Sequence, residues 1–230
     1  MNFYFFHIGE LTNIQTMMVD SIRITNPDSR IIQVTDHHTL KLEKVDKCLR
    51  FDGSKDNIMK FRFDAYSNIL YEKNSENIFL DTDMLVLKKL SSQDIFKKSD
   101  IVFCKREFNT ESMVNINLHN LNMKEYINKT LLQAWPFMGC FIASKNNNLF
   151  TEMNDMYDLL ENKYKFWYGD QIILKKYYEK FSSKIDLVGE AKYANVTLRI
   201  DDNSDVRIMH FKGMKKKHML NFYLNYFNLN

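Results

Sequence analysis

The sequence predicts a single α/β domain whose mixed, mostly parallel sheet is flanked by helices. Short apolar runs alternate with patterns of helical period along the chain, which is typical of strand-helix units. The chain has 230 residues, enough for one domain with a sizeable core. Apolar residues make up 45%, and the 6 glycines and 2 prolines are too few for a fibrous or disordered chain. We therefore expect residues 1–230 to fold as one unit.

The N-terminal half begins with a strand-helix unit. Residues 3–8 are apolar enough for a buried strand, and Thr12 can cap the helix that follows. Methionine and isoleucine side chains form one apolar stripe along that helix, which should end before Pro27 because proline disfavours the helical conformation at the preceding residue. After it we expect strands at 30–35 and 47–51, a long helix at 57–74 and a strand at 77–80.

The C-terminal half continues this alternation around one less regular stretch. Residues 107–135 are rich in Asn and Met, and long irregular segments in compact domains are often substrate loops. A surface insertion with a helix near 123–132 explains the same stretch equally well. The other elements that we expect are helices at 91–98, 149–161 and 170–181 and strands at 100–104, 137–144, 185–188 and 206–210.

The motif Asp81-Thr82-Asp83 lies between two apolar runs. Side chains at positions i and i+2 point to the same side of an extended backbone, so both carboxylates can face one divalent cation. Two charges in so apolar a neighbourhood are costly unless a cation compensates them. The motif therefore predicts a metal ion that holds a diphosphate. The alternative is a pair of aspartates that ends the strand and starts a turn.

A second polar cluster follows the last predicted strand. It begins with His210, continues with Gly213 and ends in three lysines at 215–217. A neutral histidine nitrogen can complete a coordination shell that carboxylates begin, glycine permits close backbone approach, and lysine neutralises phosphate. Each residue alone is explained as well by an ordinary core or surface position. Together with the paired aspartates, they predict a phosphate site.

A third cluster lies where the predicted helix at 170–181 begins. Asp170 and Gln171 follow three aromatic residues at 166–168. Polar side chains in this position can bind the hydroxyls of a sugar, and aromatic ones can pack against its apolar face. The alternative is that Asp170 caps the helix. Arg62, on the helix before the Asp81 motif, can reach the same region or form a structural ion pair.

With these residues in order, the chain resembles the GT-A glycosyltransferases, particularly the retaining family 8 enzymes, over most of its length. That family has an arginine on the helix before a strand ending in Asp-x-Asp, a small-residue turn, Asp-Gln at a helix start, and a final His-x-x-Gly-x-x-Lys-Pro-Trp. The matching positions here are Arg62, Asp81-Thr82-Asp83, Gly139-Cys140, Asp170-Gln171, His210, Gly213 and Lys216. Lys217-His218 replaces the final Pro-Trp, and Phe137-Met138-Gly139-Cys140 replaces the usual Asn-x-Gly turn.

The resemblance implies a Rossmann-like GT-A fold and assigns roles to the matching residues. It implies that Asp81, Asp83 and His210 bind Mn2+ or Mg2+ on the diphosphate of a nucleotide sugar. Asp170 and Gln171 would be the catalytic residues beside the reacting carbon. The other donor-binding positions would be Phe6, His7 and Ile8 at the base and ribose, with Arg62, Thr82, Gly213 and Lys216 near the diphosphate.

The function implied by the resemblance is metal-dependent transfer of a hexose from a nucleotide sugar. The resemblance favours a UDP-sugar as the donor and retention of configuration at the anomeric carbon. The acceptor would be a glycan, a glycolipid or a protein, and residues 107–135 would form an acceptor-side insertion.

Two alternatives come from other classes of protein. A haloacid-dehalogenase-like phosphatase would use Asp81 as nucleophile and Asp201-Asp202 as its later acidic pair, although that class begins its core with the motif. A non-catalytic module would bind the nucleotide sugar without reaction.

Composition bounds the partners and the compartment. A net charge of +3, without basic residues interleaved with aromatic ones, argues against nucleic-acid binding. Three widely spaced cysteines fit neither a disulfide framework nor a zinc cluster. The absence of a basic leader and of a long apolar run leads us to expect a cytoplasmic protein.

Residues 212–230 are basic and aromatic. We expect this segment to form a helix that covers the sheet or, alternatively, to contact a membrane surface.

Overall fold

A computed structural model of the protein describes residues 1–115, 124–165, 167–198, 200 and 204–229. The strands are β1 (Asn2–Phe6), β2 (Arg30–Thr35), β3 (Lys47–Arg50), β4 (Asn77–Leu80), β5 (Met84–Val86), β6 (Ile101–Lys105), β7 (Phe137–Ser144), β8 (Ile185–Gly189) and β9 (Ile208–His210). The α-helices are α1 (Asn13–Thr25), α2 (Ile58–Ser67), α3 (Ser92–Ile95), α4 (Leu131–Ala134), α5 (Leu149–Asp158), α6 (Gly169–Phe181), α7 (Glu190–Tyr193) and α8 (Met219–Tyr226). Short 3-10 helices lie at Lys55–Asn57, Lys124–Tyr126, Asn162–Tyr164, Ser182–Lys184 and Gly213–His218.

Seven strands form the main sheet in the order β3-β2-β1-β4-β7-β6-β8. β1 pairs in parallel with β2 and β4, β2 with β3, and β6 with β8, whereas β7 runs antiparallel to β4 and β6. The expected mixed, mostly parallel sheet flanked by helices is thus confirmed. Because β7 is antiparallel to β4, Phe141 lies beside Leu80 at the carboxyl end of β4, and the first residues of β7 extend beyond that end. There the amide of Asp81 donates to the carbonyl of Cys140 at 3.1 Å.

The strands β5 and β9 form a separate antiparallel ribbon that joins the middle of the chain to its C-terminal part. Met84 pairs with His210, and the amide of Phe211 donates to the carbonyl of Asp83 at 2.8 Å. A strand was expected at 206–210, whereas β5 was only an apolar run after the aspartate motif, and the pairing of the two was not expected. That pairing brings the histidine of the C-terminal cluster beside the aspartate motif.

Two apolar clusters cover the two faces of the main sheet. Successive residues of a strand point to opposite faces, and Phe3 and Phe5 belong to one cluster while Tyr4 belongs to the other. Helices α1 and α8 lie on the first face, and α2, α5 and α6 lie on the second. Met219 of α8 is fully buried in the first cluster. The C-terminal segment therefore covers the sheet, which was one of the two expectations for residues 212–230. Among the described residues, no helix has the length and apolarity that crossing a bilayer requires.

Two expected elements differ from the structure. The helix expected at 57–74 ends at Ser67. The side-chain amide of Asn68 donates to the carbonyl of Asp64 at 2.8 Å, and Asn74 has a φ of +62°, which no right-handed helix contains. In the less regular stretch, the helix expected near 123–132 is replaced by a 3-10 turn and by α4. Residues 116–123 lie outside the described part of the chain, as do Asp201 and Asp202 of the phosphatase alternative.

Candidate active site

A cavity of about 510 Å³ opens at the edge of the sheet where β1 and β4 end and β7 begins. All of the site residues expected from the sequence line this cavity. They are Phe6, His7, Ile8, Arg62, Asp81, Thr82, Asp83, Asp170, Gln171, His210, Gly213 and Lys216. The structure therefore brings together residues from both halves of the chain. The role of each residue stays a prediction.

Asp81, Asp83 and His210 form a group of potential metal ligands. Each residue offers one ligand atom, and these atoms all lie within 4.8 Å of one another. The two aspartates lie in a turn between β4 and β5, not on an extended strand as their spacing was interpreted, but their carboxylates still converge. The imidazole joins them because β9 pairs with β5, the strand that follows the turn. We conclude that strand pairing, rather than residue spacing, builds the cluster.

The donor atoms of this cluster fit a divalent cation. Mn2+ binds both carboxylates and imidazole readily, whereas Mg2+ prefers the carboxylate oxygens. His210 is 5% exposed, and its Nε2 lies 3.4 Å from Oδ1 of Asp83. Its buried Nδ1 has no hydrogen-bond partner among the described residues, and a buried polar atom usually has one. Nε2, the nitrogen beside Asp83, is therefore the one placed to join the two carboxylates as a ligand.

The two aspartates differ in charge balance. Burial raises the pKa of Asp81 to about 6, although Arg62 opposes the shift and Asp83 adds to it. Burial acts in the same direction on Asp83, but His210 and Lys216 outweigh it and lower the pKa of Asp83. Nζ of Lys216 lies 3.1 Å from Oδ2 of Asp83. A cation bound beside Asp81 would offset the cost of keeping that carboxylate charged.

Arg62 bridges the aspartate motif and the start of α6. Its Nη1 lies 3.1 Å from Oδ1 of Asp81, and its Nη2 lies 2.6 Å from Oδ2 of Asp170. Gly139 makes room for this bridge, since a Cβ atom there would lie only 2.2 Å from Oδ2 of Asp170. The carboxylate of Asp170 also accepts from the amide of Gln171 at 2.7 Å. Asp170 is therefore held by a charge on one side and by the helix start on the other.

Arg106, which sequence reasoning missed, lies behind Gln171. Its Nη2 donates to the side-chain oxygen of Gln171 at 3.0 Å, and its Nε donates to the carbonyl of Trp135 at 2.8 Å. The residue is 4% exposed, and burial lowers its pKa although Glu190 opposes the shift. Its position directly after a buried apolar strand was the available signal, because a charge in such a place needs a partner.

The end of β1 forms a further side of the cavity, which Phe6, His7 and Ile8 line. Nε2 of His7 lies 2.9 Å from the carbonyl oxygen of Glu10, and Nδ1 lies 3.4 Å from the side-chain nitrogen of Gln15. Burial lowers the pKa of His7, which favours a neutral imidazole. Phe6 packs edge-on against Phe61, with ring centroids 5.2 Å apart. This side can offer an aromatic ring and a neutral polar ring to a ligand.

The three C-terminal lysines have different surroundings. Lys216 lines the cavity, Lys215 donates to the carbonyl of Val196, and Lys217 is exposed away from the cavity wall. Gly213 has a φ of +59°, a left-handed conformation that favours glycine and lets the chain turn toward Lys216. One lysine of the run is thus placed for an anion in the cavity.

Comparisons with solved structures show the fold. No protein-family model matches the sequence, and a search of curated proteins finds no match. The glycosyltransferase GlyE from Streptococcus pneumoniae TIGR4 is similar over 97% of this chain and 60% of its own, with a TM-score of 0.58 and 12% identity. Its apo form gives a TM-score of 0.58 at 12% identity, over 96% of this chain and 60% of its own.

A second glycosyltransferase has the same fold over nearly its whole length. The galactosyltransferase LgtC, solved with donor and acceptor sugar analogues, is similar over 98% of this chain and 96% of its own, with a TM-score of 0.52 and 11% identity. The chain therefore spans most of LgtC but only about 60% of GlyE. Both proteins are glycosyltransferases, and the α/β fold described above is the GT-A fold that they share with this chain.

Proposed function

We propose that this chain is a metal-dependent hexosyltransferase of the family 8 type, which moves a sugar from a UDP-sugar to a glycan, glycolipid or protein acceptor with retention. The observation that carries the proposal is the convergence of Asp81, Asp83 and His210 to within 4.8 Å in a cavity of about 510 Å³. A cavity of that size suits a nucleotide sugar. The glycosyltransferase fold supports the same conclusion.

In the proposed reaction the chain holds the donor by its diphosphate. Asp81, Asp83 and His210 would hold Mn2+ or Mg2+, which supplies positive charge to the leaving diphosphate oxygen. Lys216 adds a second positive charge beside Asp83, at 3.1 Å. Preorganised charges of this kind act on the charge that develops during the reaction, in a site from which water is partly excluded.

The transfer step joins the acceptor to the same face of the sugar that the diphosphate leaves. The bond from the anomeric carbon to the diphosphate oxygen breaks, and the acceptor hydroxyl oxygen bonds to that carbon. The hydroxyl proton passes to the departing phosphate oxygen. The carboxylate of Asp170, fixed by Arg62 at 2.6 Å, stabilises positive charge at the anomeric carbon. Gln171 lies beside it and positions the reacting sugar.

A thermal-shift panel of nucleotide sugars with and without Mn2+ tests the proposal. A ligand that binds only the folded state raises the melting temperature, by an amount that grows with the logarithm of its concentration relative to its Kd. We expect one UDP-sugar to stabilise the protein only when Mn2+ is present, and to be hydrolysed slowly. Asp83→Asn should lose the metal-dependent turnover and keep the fold, whereas Asp52→Asn, at an exposed carboxylate outside the cavity, should keep both. Normal turnover by Asp83→Asn would disprove the assignment.

The same assays separate the two alternatives. A phosphate trapped on Asp81, without hydrolysis of any nucleotide sugar, would establish the phosphatase. Stabilisation by a nucleotide sugar and Mn2+, without transfer or slow hydrolysis, would establish a binding module.

A further inference from the structure

Trp167 is a large aromatic side chain that lines the cavity and is nevertheless 64% exposed. The other tryptophan of the chain, Trp135, is fully buried and stacks on Tyr168, with ring centroids 4.3 Å apart and planes 10° apart. This stacking fixes the residue that follows Trp167. An indole that stays in water forgoes the free energy that burial of its apolar area provides, unless a ligand covers it.

The location of Trp167 separates it from the expected nucleotide side. In the sheet order, β1 lies on one side of β4 and β7 lies on the other. The base and ribose are expected at the end of β1, the metal ligands follow β4, and α6 packs beside β7. Trp167 precedes α6 by two residues, so it lies on the β7 side together with Asp170 and Gln171. A group bound there would meet the reacting sugar from the side away from the nucleotide.

The chemistry around Trp167 favours a sugar over an apolar ligand. The cavity wall beside it carries the carboxylate of Asp170 and the amide of Gln171, which can bind hydroxyl groups. The segment before it carries exposed or half-exposed charges, such as Glu161 and Lys163. A lipid chain or an apolar peptide requires a continuous apolar patch. One flat ring among hydroxyl-binding groups instead matches a pyranose, which has an apolar face and a polar rim.

We propose that Trp167 is the stacking platform for the acceptor, and that the acceptor is therefore a saccharide at the point of transfer rather than a protein side chain. This inference rests on the proposed glycosyltransferase function and specifies its acceptor class. The ring of Trp167 packs against the sugar's C–H face, and polar groups of the same wall bind its hydroxyls. Trp167 then acts on acceptor binding and not on cleavage of the donor.

Acrylamide quenching of tryptophan fluorescence tests binding without any need for turnover. The quencher reaches the exposed Trp167 and not the buried Trp135. We would titrate lactose, maltose, cellobiose and chitobiose in the presence of UDP and Mn2+. At least one disaccharide should lower the quenching constant and shift the emission to shorter wavelength. Protection by a short peptide or by anionic phospholipid vesicles instead, or by none of the probes, would overturn the inference.

Variants then separate acceptor binding from donor chemistry. Trp167→Ala should raise the KM for the protective disaccharide about tenfold, the size of one aromatic contact, while slow donor hydrolysis stays unchanged. Trp167→Phe should recover part of the affinity. Leu159→Ala removes a side chain that is 86% exposed and lies outside the cavity, so it should change neither quantity. If Trp167→Ala transferred sugar as well as the wild type, the acceptor inference would be wrong and the proposed function would stand. If UDP and Mn2+ failed to stabilise the wild-type protein, the proposed function itself would be wrong.

Discussion

Arg106 donates a hydrogen bond through Nη2 to the side-chain oxygen of Gln171, 3.0 Å away. A guanidinium group has only donors, so this contact determines which end of the Gln171 amide faces Arg106. The carbonyl oxygen is engaged by a buried cation, and the NH2 group is the end left for a ligand. In the proposed reaction, Gln171 therefore donates a hydrogen bond to a sugar and does not offer its oxygen to the anomeric carbon.

The orientation of Gln171 predicts the effect of replacing its NH2 group. Gln171→Glu keeps an oxygen opposite Arg106 and removes the donor, so kcat should fall by about 10²-fold, as for a lost preorganised donor. The stabilisation by UDP and Mn2+ should stay unchanged, because the diphosphate ligands are intact. Steady-state kinetics with a thermal-shift titration measure both quantities. The matched control is Gln133→Glu, since the exposed Gln133 serves a capping box that glutamate also satisfies.

A different result would assign Gln171 another role. If Gln171→Glu kept full kcat, the NH2 group would not contact the reacting sugar. Arg106→Lys gives a second measurement, because a shorter, single-point donor holds the amide less firmly. Its kcat should fall while the stabilisation by UDP and Mn2+ stays unchanged.

The close approach of Gly139 to Asp170 predicts that adding even one methyl group at position 139 disrupts the site. In Gly139→Ala, the new Cβ would lie 2.2 Å from Oδ2 of Asp170, which is 8% exposed and ion-paired with Arg62. Asp170 must move, so turnover should fall by about 10²-fold or more, the usual effect of misplacing a reacting group. A kinetic assay with circular dichroism separates lost activity from lost fold.

The control for that substitution is Gly189→Ala. Its Cβ would meet the carboxylate of Glu107 at 2.5 Å, a similar overlap outside the cavity. Glu107 is exposed and can swing away, so activity should stay near that of the unmodified chain. Equal losses in the two variants would mean that Gly139 acts on general stability alone.

Local patterns in the sequence predicted the first strand-helix unit well. An apolar run gave β1, and Thr12 caps α1 in a capping box with Gln15. Both signals lie within a few residues of the element that they specify. The end of α2 was missed because the side-chain amide of Asn68 donates to the carbonyl of Asp64, a local bond that no apolar period records.

The site was predicted as a set of residues, and its geometry was not. Asp81 and Asp83 stood out because charges are rare between apolar runs, yet their convergence with His210 depends on pairing between β5 and β9. Such pairing joins segments far apart in the chain and leaves no local pattern. Arg106 follows a buried strand, but this local signal did not identify its partner, because Gln171 lies on another element.

The difference between Lys216 and Lys217 predicts a charge effect confined to one position. Lys216→Gln removes the ammonium group that lies 3.1 Å from Asp83, so affinity for UDP with Mn2+ should fall about tenfold, as for a lost partly desolvated charge contact. Lys217→Gln changes the net charge equally at an exposed position outside the cavity wall and should leave affinity unchanged. Isothermal titration measures both. Equal losses in the two variants would show that only the overall charge matters.

The hydroxyl of Ser21 predicts an effect on the stability of the β5–β9 ribbon, which lies beside the candidate metal-ligand cluster. This buried oxygen donates to the carbonyl of Met18 at 2.7 Å and accepts from the amide of Val86 at 3.0 Å. Ser21→Ala leaves the Val86 amide without its acceptor, which should lower the free energy of unfolding by about 1–3 kcal/mol. Urea denaturation measures the loss. Ser183→Ala, at an exposed position, should cost little, and an unchanged midpoint in Ser21→Ala would show that another group takes over the acceptor role.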